Sequence, residues 1–297
     1  MKQRTIQNDY LEVIIKHHGA EMCSLKNLAT GMEYLWNADP KFWGRTSPIL
    51  FPFVGSLKNK TYRYDGNEYQ LGQHGFARDM DFKIISQEQQ EVWFELSENE
   101  DTYKVYPFKF QFKIGYRLEE QSVRIMWKVK NTDTKEMYFS IGAHPAFNCP
   151  LHNGDKQADY SIKFMKKDGS VLEKFLSTDL GQGGCVVDTA TEYEVKEGLL
   201  PITDHLFDID TLILENSQVQ RVSLLNSAQK EYLAVEFDAP VVGIWSPPGK
   251  QAPFICIEPW YGRGDNESFT GELQEREWSN KLEVGEEFFA DYRICIY

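Results

Sequence analysis

The run FKFQFKIGYRLEE, residues 108–120, places Phe108, Phe110, Phe112, Ile114, Tyr116 and Leu118 on one side of an extended chain. Lys109, Gln111, Lys113 and Arg117 fall on the other. A period of two marks a strand with one face buried and one face wet. SVRIMWKVKN (122–131) repeats the pattern with Val123, Ile125, Trp127 and Val129 after the polar EEQS, so the two segments predict a hairpin. Moving outward, EVWFELSE (91–98), YSIKFMKK (160–167), DTLILEN (210–216) and EYLAVEF (231–237) read as further strands. So does the closing EEFFADYRICIY (286–297), where Phe288, Ala290, Tyr292, Ile294 and Ile296 alternate. Helical periodicity is scarce.

Gly and Pro punctuate these runs at YDGN (64–67), GQGG (181–184) and SPPGKQAP (246–253), and no linker or shift of composition marks a boundary. The expectation is an all-β chain forming a single domain over residues 1–297. Many antiparallel strands joined by short turns predict either a large sandwich or an open, barrel-like pair of sheets, and periodicity does not choose between them.

The 297 residues are 41% hydrophobic and 14% aromatic, enough Phe, Tyr and Trp for a large core or a sugar-stacking surface. A net charge of −13 leaves no basic excess for a phosphate backbone, which argues against nucleic acid and anionic membrane surfaces as partners. The N-terminal MKQRTIQNDYLEV lacks the apolar core of a signal peptide, and no apolar run is long enough to span a bilayer. A cytoplasmic location is expected. Cys23, Cys149, Cys185, Cys256 and Cys295 form an odd set without a C-x-x-C pair, so free thiols in a reducing compartment are expected. Phosphate-loop, dinucleotide, zinc-protease and serine-esterase signatures are all missing.

Three polar residues interrupt apolar or aromatic surroundings: His74 in GQHGFARD (72–79), His144 in SIGAHPAFN (140–148) and Glu258 in FICIEPWYG (254–262). His144 stands beside Pro145, where regular strand pairing stops. Glu258 follows four apolar residues, so partial desolvation there would raise its pKa and suit it to act as a base near neutral pH. Each residue alone also fits a bland role, a carboxylate paired at a strand end or a histidine bonded to a carbonyl. Taken together, a base, an acid and an orienting donor are what proton transfer on a neutral substrate needs. Asp208 and Asp210 are candidate hydroxyl acceptors and Arg45 and Arg78 candidate donors. His17, His18, His152 and His205 are expected on the solvated surface.

In this order, RTSPILFPFVG (45–55), QHGFARD (73–79), GAHPAFN (142–148) and CIEPWYG (256–262) resemble the aldose 1-epimerase, or galactose mutarotase-like, family, in its LacX-like branch. The likeness runs along essentially the whole chain. It implies a single large antiparallel β-sandwich with a sugar in an open cleft, and neither cofactor nor metal. It implies that Glu258 takes the proton of the anomeric hydroxyl while His144 protonates the ring oxygen, the two standing on opposite sides of one pyranose. It further implies that His74 bonds the ring oxygen or a neighbouring hydroxyl, that Asp210 holds distal hydroxyls and that Trp260 offers its face to the sugar.

Where relatives carry an arginine after FPFVG this chain has Ser56, a departure that leaves a contact to Arg45, Arg78 or Lys58. The expected partner is therefore a small sugar, an aldohexose or its 6-phosphate, with the protein a monomer or a homodimer. Competing readings are a non-catalytic sugar-binding protein, which would not need the acid/base pair, and a glycoside hydrolase, which would use two carboxylates and leave His144 idle.

Overall fold

The alternating run becomes the strand Phe110–Glu119, paired antiparallel with Ser122–Asn131 through a tight turn at Glu120. Phe110, Phe112, Ile114, Tyr116 and Leu118 are buried, as are Val123, Ile125, Trp127 and Val129. Phe108 is buried too but lies just ahead of the strand, after Pro107, which has no N–H to give to a ladder. This hairpin sits inside a nine-stranded antiparallel sheet. Glu287–Ile296 and Glu231–Phe237 flank it on one side, Glu91–Ser97 and Lys83–Gln87 on the other.

The computed structural model describes residues 2–297. A second sheet of eight strands carries, in order, Val186–Glu194, Lys174–Leu180, Leu212–Leu214, Val241–Trp245, Phe254–Tyr261, Ile141–Ala143 and Ile49–Leu50, with Ala146–Asn148 also paired to Phe254–Tyr261. All these ladders are antiparallel. Among the described residues the one α-helix is Glu100–Val105, capped by Asn99. Asp65 and Gly66 of YDGN both take left-handed φ, 50° and 73°, as a two-residue hairpin turn requires.

One core joins the two sheets. Residues 110, 112 and 114 of the larger sheet share it with Leu212, Leu214, Val242, Ile244, Ile255 and Ile257 of the smaller. By the pleat, Ile213, Val241, Gly243, Trp245, Cys256, Glu258 and Trp260 must then face away from the sandwich interior. FICI is continuously apolar because both faces of its strand are covered: the core lies on one side. On the other lie a cluster with Trp36, Phe254 and Cys256 and a second with Val54, Val241 and Trp260.

Phe112 shows how the core holds. Its ring lies 5.0 Å from Phe51 and 5.7 Å from Phe82 and is wholly buried. Phe112→Ala is expected to lower unfolding free energy by about 3–5 kcal/mol, the range for deleting a buried phenyl ring. Urea denaturation measures it.

Candidate active site

The outward face of the smaller sheet is the floor of a cleft of about 230 Å³ lined by Trp43, His74, Arg78, His144, Asp210, Trp245, Glu258 and Trp260, together with the backbone of Gly55, Gly184 and Gly264. Glu258 sits on Phe254–Tyr261 opposite Gly243, whose missing side chain makes room for the Trp260 indole. His144 sits between Ile141–Ala143 and Ala146–Asn148, two short strands that both pair with the Glu258 strand. The break at His144-Pro145 therefore falls directly across from Ile257–Glu258–Pro259. Nε2 of His144 lies 3.3 Å from Oε2 of Glu258.

His74 enters from the loop after Gln70, with φ of 67° at His74 and 69° at Gly75. A Cβ at Gly75 would lie 2.3 Å from the Phe51 carbonyl oxygen, so only glycine fits there. The His74 N–H donates to the Gly55 carbonyl at 2.9 Å and the Gly55 N–H donates to His74 Nδ1 at 3.1 Å. An accepting Nδ1 places the proton of the neutral ring on Nε2, which makes His74 a donor. Asp210 stands just before Leu212–Leu214, also at a left-handed φ, 80°. Non-glycine residues in that region are uncommon and concentrate at functional sites.

His144 is 7% exposed and Glu258 1%. Burial lowers the His144 pKa to about 3, with Arg78 and Arg45 adding to the effect. Burial pushes Glu258 well above the ordinary carboxylate value, Asp210 adds to this, and the Trp260 indole N–H acts in the opposite sense. The 3.3 Å contact is close but leaves Oε2 of Glu258 without a hydrogen bond of normal geometry, and both environments favour the neutral form. The proton then rests on the carboxyl and the imidazole is uncharged. His74 is likewise held neutral by burial, with His144, Arg78 and Arg45 adding to the effect.

Trp260 lies flat across the floor. A Cβ on Gly142 would come within 2.6 Å of its Cδ1, and one on Gly243 within 2.6 Å of its far ring edge. Gly243→Ala is expected to cost about 1–3 kcal/mol by overpacking against the indole. Thermal unfolding measures it.

Of the other sequence-derived candidates, Arg78 lines the cleft and bonds the Gln73 carbonyl at 2.8 Å. Arg45 does not line it: its guanidinium turns to Asp79 at 2.8 Å. Asp208 is outside the site, paired with Nδ1 of His205 at 2.8 Å and facing a different hollow. Its strand-edge loop turns between 208 and 210, sending the two aspartates to different sides. Ser56 places its hydroxyl against Gly184 of the GQGG turn. Lys58 is committed to the Phe269 carbonyl at 3.0 Å.

His152 and His205 are exposed as expected, and His18 faces Asp81 at 2.9 Å. His17 departs from expectation. Its ring packs edge-on to Phe94 and its Nε2 is buried without a partner, because it directly follows the strand Leu11–Lys16, whose Leu11, Val13 and Ile15 are in the core. All five cysteines are free; Cys23 and Cys295 are half-buried.

Sequence reasoning missed Trp43 and Trp245, whose rings surround His144. Residues 43, 144 and 245 are far apart in the chain, and no local pattern announces that they meet.

A buried histidine and glutamate side by side in a cleft on one face of a β-sandwich are chemically suited to moving protons on a small bound molecule. The sequence profile described as aldose 1-epimerase matches residues 2–294. The chain belongs to the aldose 1-epimerase family, an isomerase family that acts on sugars. It is 35% identical over 265 residues to the chromosomal protein LacX of Lactococcus lactis subsp. lactis, covering 86% of this chain and 87% of that one. The solved structure of a galactose mutarotase related enzyme from Lactobacillus acidophilus superposes with a TM-score of 0.93 at 36% identity, over 100% of this chain and 97% of the other. A galactose mutarotase-like protein from Lactobacillus casei gives 0.90 at 29% identity, with both chains fully covered.

Proposed function

We propose that the chain interconverts the α and β anomers of a free aldohexose by acid/base-catalysed opening and closing of the ring. The observation that carries this reading is the 3.3 Å contact between Nε2 of His144 and Oε2 of Glu258 at the floor of the cleft. No sugar ring fits between two groups that close, so they do not stand on opposite sides of a pyranose. They do not need to: the anomeric oxygen and the ring oxygen are bonded to the same carbon, and neighbouring groups reach both.

Sugar hydroxyls entering the cleft give the carboxylate the hydrogen bonds that burial removed, and the proton passes to His144. Glu258 then takes the proton of the anomeric hydroxyl, the C1 carbonyl forms, the bond from C1 to the ring oxygen breaks, and His144 protonates that oxygen. What remains is an acid at Glu258 and a neutral imidazole, the protonation state that burial favours. After rotation about C1–C2, Glu258 returns its proton to the carbonyl oxygen as the ring oxygen attacks, and His144 recovers its own. Neither a nucleophile nor a redox partner enters the balance. His74 donates to the ring oxygen or its neighbour, Asp210 accepts from distal hydroxyls, and Trp260 supplies the apolar floor.

A free hexose is favoured over its 6-phosphate because Arg78 is the one cationic side chain lining the cleft among the described residues, and the chain carries a net charge of −13. A polarimetric panel of freshly dissolved aldoses and their 6-phosphates tests both points. Acceleration with free hexoses supports the reading; acceleration with the phosphates alone moves the substrate class; no acceleration with any member overturns it.

A further inference from the structure

Resting on the acid/base reading above, we propose that Trp43 is the positioning residue of the proton donor: its indole face fixes the plane of the His144 ring and stabilises that ring when it carries the proton. Nδ1 of His144 is buried and has no hydrogen-bond partner beyond its own residue's backbone. Imidazoles that transfer protons are ordinarily held by a hydrogen bond at the nitrogen that does not react. Here that anchor is missing, and three rings take its place. Trp43 stacks on the imidazole at 4.7 Å and 27°, while Trp245 and His74 close its edges at 5.4 Å and 86° and at 5.6 Å and 85°.

Trp43 is itself held firmly for a loop residue. Its N–H donates to the Asp39 carbonyl at 3.0 Å, and its own carbonyl accepts from the Trp36 indole at 2.9 Å. Its ring also packs against Trp245 at 5.6 Å and Phe254 at 5.8 Å. An indole in such a stack is a stop against rotation of the imidazole as well as a wall.

The electrostatic need is as plain. His144 faces Glu258 and Cys256 from the neighbouring strand and His74 from the loop after Gln70; the charges of Arg78 and Arg45 act on it from farther off, and Asp210 reaches it through Glu258. Both arginines oppose an imidazolium, and the one favourable charge, Glu258, gives its charge up during the reaction. A π face stacked on the ring attracts a cation throughout the cycle and brings no proton of its own.

The test compares wild type with Trp43→Phe, which keeps an aromatic face, and Trp43→Leu, which keeps only bulk. Trp43→Leu is expected to lower kcat roughly three- to thirty-fold, the span of an aromatic–cation contact, with KM little changed, and Trp43→Phe to restore most of the loss. In aromatic NMR spectra the His144 Cε1–H, assigned by its absence from His144→Asn, is expected as one sharp resonance in wild type and Trp43→Phe and as a broadened or doubled one in Trp43→Leu. If the leucine variant does not fold, Trp43→Met replaces it. A rise in KM alone would make Trp43 a sugar platform and overturn the proposal, as would a single sharp His144 resonance in the leucine variant. Should wild type show no mutarotation, the functional reading fails by itself, and the NMR comparison still decides the role of Trp43.

Discussion

Glu258→Gln is expected to lower kcat by roughly 10²–10⁴-fold, the range for removing one general acid/base group. Glutamine keeps the volume and the planar head of the side chain but neither takes a proton from the anomeric hydroxyl nor returns one to the carbonyl. Its amide can still donate toward Nε2 of His144, so the cleft keeps its shape and KM changes little. The loss therefore appears in the chemical step. Initial rates of anomer interconversion, corrected for the spontaneous reaction, measure it, and turnover within a few-fold of wild type would remove Glu258 from the mechanism.

The same substitution is expected to stabilise the fold at neutral and alkaline pH. The Glu258 pKa is raised in the folded state from an ordinary value of 4.5. A group with a raised folded pKa contributes stability that is fully present below the unfolded value and is lost as pH rises through the folded one. At pH 8 the unfolded chain gains from ionising Glu258 while the folded protein must either keep the proton or bury a charge. Glutamine has no proton to lose, so its Tm advantage over wild type grows between pH 5 and pH 8. A buried acid that costs stability and is kept nonetheless is the usual sign of a group retained for its chemistry.

Why some of this was legible in the sequence and some was not follows from what a linear pattern records. The period of two at residues 108–131 reports solvent on one face and core on the other, and it predicts the central hairpin of the larger sheet. FICIEPW is harder, because its strand has no wet face and its alternation is erased. Its carboxylate stands out only as the polar residue in an apolar run. The break at His144-Pro145 is visible as a proline, but its position across from Glu258 depends on two short strands sharing one partner, which no spacing encodes. Asp208 and Asp210 look equivalent in LFDIDTLIL, yet one turn of backbone sends the first to His205 and the second to the cleft. Arg45 is likewise drawn to Asp79, thirty-four positions away. Aromatic stacking on His144 is wholly a product of tertiary packing.

His144→Asn is expected to lower kcat by a factor similar to that of Glu258→Gln, and the double variant to be far less impaired than the product of the two. In the proposed mechanism the pair works with one proton, Nε2 and Oε2 standing 3.3 Å apart. With either partner gone that proton has no route between the two oxygens, so the second substitution removes little more. The pair also sets the pH range. Activity requires one proton on the two groups together, and is lost at low pH only when the imidazole is protonated while Glu258 keeps its own. Because the His144 pKa lies at about 3 rather than 6.5, the acidic limb of kcat/KM falls far below that of an ordinary histidine. On the other side the shared proton leaves only above the raised pKa of Glu258. Rates at pH 5 are therefore expected to stay close to those at pH 7. A limb centred near 6.5 would mean that His144 titrates as a solvated imidazole, reached by water despite the rings packed around it.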